Sequence, residues 1–188
     1  MTSATVTIRP IGWNDAESLQ ETLDDPAVYL PCGLRDSTGE FDISEFVKNR
    51  IAGWESGAAY SFVVLASDKL VGGCTLHMAR GNRQRAEIGF WIQRVFWGKS
   101  IATRAARQMV TFGFERLSLR SIEGRCVAEN IAAARVLMKN GFHFQHQFRC
   151  YSAYLSSSTT LNSFRILRDE RFATRPVPLG HPRWLETA

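Results

Sequence analysis

The chain has 188 residues, 45% hydrophobic and 22% charged, with a formal net charge of +5; this suits one globular domain and excludes disordered and fibrous classes. No apolar run approaches the roughly 18 residues of a membrane span, and Met1 to Val6 lacks the basic and apolar regions of a signal peptide, so the expectation is a cytoplasmic protein without a membrane partner. The basic residues are scattered, with local clusters at 80–85 and around Lys99, Arg104 and Arg107. An anionic cofactor explains the second cluster as well as nucleic acid does, and a nucleic-acid partner, not expected here, is kept as the third reading. Cys32, Cys74, Cys126 and Cys150 form no close pair, which predicts reduced thiols and no metal site.

Val6-Thr7-Ile8-Arg9 alternates and stops at Pro10, predicting a first strand. Asn14 is placed to cap a helix from Asp15 to Leu23, with Glu17 completing a capping box. Asp24-Asp25-Pro26 reads as a helix break, and residues 29–40, rich in Pro, Gly and Asp, as a loop long enough to be functional. From Ile43 a second helix sets Phe46, Val47, Arg50, Ile51 and Trp54 at intervals of three and four, ending at Gly57. Residues 61–66 and 70–78 flank Ser67-Asp68-Lys69 as an antiparallel hairpin of two central strands.

The strand over 86–92 places Glu87, Gly89 and Trp91 on one face and Ile88, Phe90 and Ile92 on the other. It runs into Gln93-Arg94-Val95-Phe96-Trp97-Gly98-Lys99-Ser100 and then a helix from Ile101 to about Leu117 whose Ala102, Ala105, Met109 and Gly113 suit close packing. Small residues at 98, 100 and 102 let successive backbone N–H groups approach an anion, and the helix's first turn adds free donors and partial positive charge. This is neither a P-loop nor a GxGxxG fingerprint, and an ordinary strand-to-helix turn has a similar outline. A strand over 121–127, a helix from 131 to 140 capped by Asn130 and stopped by Gly141, and an alternating aromatic strand from Phe142 follow. The alternation puts His143 and His146 on opposite faces, with His146 expected to be packed, not a ligand. Residues 155–162 read as a Ser/Thr-rich loop, 163–172 as a closing strand, and 175 onward as a surface extension.

The stretch from Trp97 to Thr103 resembles the cofactor loop of the GNAT acetyltransferases, Q/R-x-x-G-x-G/A, with Trp97 in place of Gln or Arg and Ser100 in place of the central Gly. Asn130 to Phe142 is similar to the family's N-x-x-S-x-R-V-L-x-K-x-G-F, with Ala133 in place of Ser. Ile8-Arg9-Pro10 with Asp15-Ala16-Glu17, and Ile166 to Arg171, resemble the family's opening and closing strings. The resemblance spans about residues 5–172 and points to the RimJ/RimL-like branch acting on protein N-termini. It implies an α+β GNAT (acyl-CoA N-acyltransferase) fold, a mixed central sheet of about seven strands flanked by helices. The whole chain, 1–188, is then a single domain, with an extension at 173–188.

The same resemblance implies acetyl-CoA as co-substrate, held by Trp97, Gly98, Lys99, Ser100, Ile101, Ala102 and Thr103. Trp91 and Ile92 would offer backbone groups to its pantetheine arm and an oxyanion donor, and Asn130 and Arg135 would approach from the next unit. Acyl transfer to an amine needs a proton acceptor, an oxyanion site and a proton for the thiolate. Glu87 is the first candidate for the base, with Glu123 in reserve; a surface carboxylate paired with Arg85 is the competing reading. Leu137 stands where many relatives place the Tyr acid, leaving Tyr151, with Ser152 beside it, as the candidate. The expected acceptor is a protein or peptide α-amino group. A small amine such as a polyamine or aminoglycoside, drawn by Asp36, Glu40 and Asp42, stays open, as do a non-catalytic CoA-binding module and a homodimer.

Overall fold

The structure is a computed structural model that describes residues 5–32, 41–152 and 157–169. Strands β1 (Val6–Pro10), β2 (Ala59–Ala66), β3 (Lys69–Ala79), β4 (Asn82–Ile92), β5 (Ser121–Val127), β6 (His143–Ser152) and β7 (Ser157–Leu167) form one sheet in the order β1-β2-β3-β4-β5-β7-β6. Every neighbouring pair is antiparallel except β4 with β5. The helices are α1 (Ala16–Thr22), α2 (Pro26–Cys32), α3 (Ile43–Ser56), α4 (Ile101–Glu115) and α5 (Ile131–Lys139). The seven-stranded mixed sheet expected of the GNAT fold is thus present.

Alternation in the strands separates two cores. On one face Ile88, Ile92, Ile122, Phe164 and Ile166 pack with Ala105, Met109, Val110 and Phe114 of α4 and Leu137 of α5. On the other, Val63 and Trp91 pack with Ile11, Leu19 and Val47 below α1 and α3. Glu87, Gly89 and Trp91 share this second face, as their spacing predicted.

Several local expectations need correction. Asn14 is not the first cap: a short 3-10 turn, Trp13–Asp15, precedes α1. Here the Gly12 N–H donates to Asp15 Oδ2 at 2.9 Å, and Arg9 holds both oxygens of the same carboxylate. Pro26 starts a helix where a break was expected. Its fixed φ suits the first helical position, and Asp25 Oδ1 accepts from the Ala27 N–H at 2.9 Å. Residues 29–32 are therefore helical, while 33–40, with Asp36 and Glu40, lie outside the described residues.

Strand β4 begins at Asn82, extending the hairpin through the 80–85 basic cluster. Residues 157–162, read as loop, are the first half of β7, because β-branched and hydroxyl side chains at 158–160 pair across to Tyr151, Cys150 and Arg149. The two histidines of β6 share a face. A bulge between Phe144 and His146 shifts the register by one residue, so His143 pairs with Arg165 and His146 with Ser163. His146 is exposed, not packed in the core, and among the described residues no cluster could hold a metal. Cys74, Cys126 and Cys150 are free thiols. The extension at 173–188 lies outside the described residues.

Candidate functional site

The parallel ladder between β4 and β5 is short. It runs from Arg85–Ser121 to Ile88–Gly124 and stops. Beyond it β4 stays with β3 as far as Ile92, while β5 stays with β7 as far as Val127. A gap therefore opens in the middle of the sheet at the end where α4 begins.

The direction of the backbone groups in this gap follows from the ladder. Gln93 donates its N–H to the Val71 carbonyl at 2.8 Å. Alternation then turns the Trp91 and Gly89 groups towards β3, and those of Phe90 and Ile92 towards the gap. Of the two residues expected to offer backbone to an arm of cofactor, Ile92 is oriented to do so. Trp91 instead contributes its side chain, whose indole lies across Gly73, where a Cβ would stand 2.8 Å from the ring.

The turn after β4 is built for close backbone approach. A 3-10 turn, Arg94–Phe96, leads to Gly98 at φ +75° and Ser100 at φ +57°. Nothing lies within 4 Å of a Cβ built at Gly98, so the demand for glycine there is conformational. Trp97 closes the turn by donating its indole N–H to the Ile92 carbonyl at 2.6 Å. Lys99 lies over the Phe96 ring at 5.1 Å, with its ammonium beside the turn. The N–H groups of Ile101, Ala102 and Thr103, in the first turn of α4, have no carbonyl four residues back to receive them.

This cradle fits a diphosphate. It combines a helix N-terminus, two left-handed residues and the Lys99 cation. Asn130 caps α5 by accepting the Ala133 N–H on Oδ1 at 3.0 Å, which leaves its amide NH2 for another partner. Arg135 is exposed on the same helix. Asn140, unread in the sequence as a functional position, ties α5 to α4 by donating to the Thr103 carbonyl at 3.1 Å.

On the face of α1 and α3 a cavity of about 260 Å³ opens beside Gly89 and Trp91. Ser61, Thr75, His77 and Arg50 supply its polar lining, and the Thr75 hydroxyl lies 3.0 Å from that of Ser61. A smaller cavity of about 140 Å³ adjoins it, lined by Glu87, Glu123, Arg85 and Arg125. The two carboxylates are register partners, each held by an arginine: Arg125 donates to Glu87 and Arg85 to Glu123. Glu87 is thus paired with Arg125, not with Arg85.

Burial pushes the Glu87 carboxyl above the usual range, and the nearby Glu123 charge adds to this, while Arg125 opposes it. His77, the register partner of Glu87 across β3 and β4, is exposed to solvent, with the walls of the two cavities crowding one side of its ring. Burial and then the Arg50 charge hold its imidazole below the ordinary histidine value. No sequence signal marked His77, Ser61, Thr75 or Arg50, because only the strand register brings them together. Leu137 is buried against Gly124 and holds no exchangeable proton. Tyr151 is 69% exposed. It pairs with Ser158, three residues beyond the Phe148–Leu161 pair that aligns with Val127 at the end of β5, and among the described residues nothing brings it to Glu87.

Comparison with known proteins agrees with this architecture. The family model for the acetyltransferase (GNAT) domain matches residues 5–143. A Bacillus licheniformis protein named uncharacterized N-acetyltransferase p20 is 25% identical over 167 residues, covering 88% of this chain and 94% of that one. The putative ribosomal N-acetyltransferase YdaF of Bacillus subtilis is 28% identical over 141 residues, covering 73% and 77%. Among solved structures, Mycobacterium smegmatis RimJ in complex with CoA-disulfide superposes with a TM-score of 0.81 at 22% identity, covering 91% and 86%.

Proposed function

The chain belongs to the GNAT acetyltransferase family and is an N-acetyltransferase that uses acetyl-CoA, and from that premise we propose that its acceptor is the α-amino group of a protein or peptide. The observation that carries this reading is the larger cavity: none of its described lining residues is Asp or Glu. A polyamine or aminoglycoside site needs carboxylates to receive several cations. Asp42 is committed to capping α3, accepting the Ser44 and Glu45 N–H groups. The likeness in sequence to a putative ribosomal N-acetyltransferase supports the same direction.

Bound acetyl-CoA supplies an activated thioester carbonyl. In the proposed arrangement the Gly98 to Thr103 turn and Lys99 hold its diphosphate, with Trp97 fixing the turn against Ile92. The Ile92 N–H, directed into the gap, is the backbone donor for charge developing on the carbonyl oxygen. Asn130 and Arg135 border the gap from the α5 side.

At pH 7 roughly a tenth of an α-amine is already unprotonated, against fewer than about one in a thousand of an alkyl amine. A modest base therefore suffices. Glu87, raised by burial, is the proton acceptor in this reading, and its pairing with Arg125 fixes its orientation. The departing thiolate takes its proton from water or from Tyr151.

The test is thiol release from acetyl-CoA across peptides with free and blocked N-termini, polyamines and aminoglycosides. Turnover confined to free peptide α-amines is the expected result. Turnover of polyamines with none of peptides would refute the acceptor assignment.

A further inference from the structure

Glu87 does not line the cavity assigned to the acceptor. It lines the smaller neighbour, and among the described residues His77 alone lines both. The larger cavity has two other titratable groups in its wall. Arg50 stays protonated at any working pH, and Cys74 is fully buried with its thiol pushed far above the usual range. Neither can accept a proton from an amine.

His77 can. Its ladder partner is Glu87. Counting back from the Gln93–Val71 bond, the two form a hydrogen-bonded pair of the antiparallel ladder, with Cα atoms about 5.5 Å apart and side chains on one face. Its ring has no hydrogen-bond partner among the described residues, so both nitrogens are available. The charged groups around it are Arg50 from α3, Glu87 and Arg85 from β4, and Glu123 and Arg125 across the smaller cavity from β5. From β2 it faces only Ala59. Arg50 disfavours the imidazolium and keeps the ring a base at rest.

We propose that His77 takes the proton of the acceptor amine in the larger cavity and passes it to Glu87 in the smaller one, so that His77 is a catalytic residue and Glu87 the acceptor behind it. The inference rests on the assignment of the larger cavity to the acceptor. One N–H bond of the attacking amine breaks as an N–H bond forms on one ring nitrogen. The opposite ring nitrogen then releases its proton to the Glu87 carboxylate, which returns it to water, and no electrons are exchanged with any other group. Charge is restored at the end of each cycle, and the ring, left in the opposite tautomer, is reset by proton exchange with water.

The experiment compares wild type with His77→Gln and His77→Ala on whichever amine the wild type turns over. Thiol release is followed from pH 5.5 to 9, and acetyl-CoA binding and melting temperature are measured in parallel. Turnover is expected to fall about 100-fold or more in His77→Gln, with the acetyl-CoA dissociation constant and melting temperature little changed. The acid limb of the turnover profile should flatten, and added imidazole should restore part of the rate of His77→Ala. Turnover within about threefold of wild type with the acid limb intact, or loss of rate that imidazole cannot restore, would overturn the proposal. A wrong acceptor class shows in the wild type's choice of amine, and a wrong role for His77 shows in the ratio of variant to wild type, so the two failures are distinct.

Discussion

Leu137 of α5 lies against the bare Cα of Gly124 on β5, where an added Cβ would stand 2.6 Å from its Cδ2. The contact falls on the last rung of the parallel ladder, Ile88–Gly124, just before β4 and β5 part. Gly124→Ala must displace the packed Leu137 methyls, and with them strain the seat of α5 on β5. The expected cost is about 1–3 kcal/mol of stability, measured by urea unfolding, with weakened acetyl-CoA binding because Asn130 and Asn140 move with the helix. A variant as stable as wild type would show that the strand and helix can slide apart freely.

Ser100 holds a left-handed conformation at φ +57° and makes no capping hydrogen bond with its side chain. A side chain in that region costs roughly 1 kcal/mol that glycine does not. Ser100→Gly is therefore expected to raise the melting temperature, or hold it level after the entropic loss of glycine, and to leave acetyl-CoA binding as tight or tighter. Weaker binding would show that the Ser hydroxyl itself contacts the ligand.

Much of this architecture was legible in the chain. The apolar run ending at Ile92, the small residues of 98–102 and the Asn130 to Gly141 unit carry local signals of strand, turn and capped helix, and these hold in the structure. Local rules failed where one residue had two meanings. Pro26 breaks a preceding helix and also starts a following one; the Ser/Thr run at 157–162 suits a loop and also an edge pairing. One bulge at Gln145 inverted the faces assigned to His143 and His146. The candidate site was legible on the donor side, where the chemistry lies in one contiguous turn. On the acceptor side only Glu87 was read, because His77, Ser61 and Thr75 are brought towards it only by cross-strand register.

Asp15 gives the sign of one pH effect. Burial alone would raise its carboxyl, but the two Arg9 hydrogen bonds, the Gly12 N–H and the Arg9 charge outweigh this and hold it below its ordinary value. A carboxyl more acidic folded than unfolded contributes fully above the unfolded value near 3.9 and loses that contribution as pH falls through the folded one. Asp15→Asn should cost about 1–2 kcal/mol at pH 7, discounted for the half-exposed Arg9. Thermal melts should show the gap between variant and wild type closing below about pH 4. A gap of constant size down to pH 2 would contradict the pairing.

Glu87 has the opposite sign. Its carboxyl is raised by burial, so the folded protein carries a cost above the folded value that disappears below the unfolded value near 4.3. Glu87→Gln should therefore melt higher than wild type at pH 8 and converge with it near pH 4, while turnover falls and the acetyl-CoA dissociation constant stays unchanged. A stabilised variant with wild-type turnover would remove Glu87 from proton transfer.

In the proposed arrangement, the parting of β4 and β5, with the Gly98 to Thr103 turn at its mouth, is the feature through which the protein acquires its acetyl donor. Calorimetric titration of acetyl-CoA into the full chain tests it most directly. One saturable site per chain is expected, accompanied by a rise in melting temperature with ligand concentration. Neither heat nor a melting shift at millimolar ligand would contradict the account.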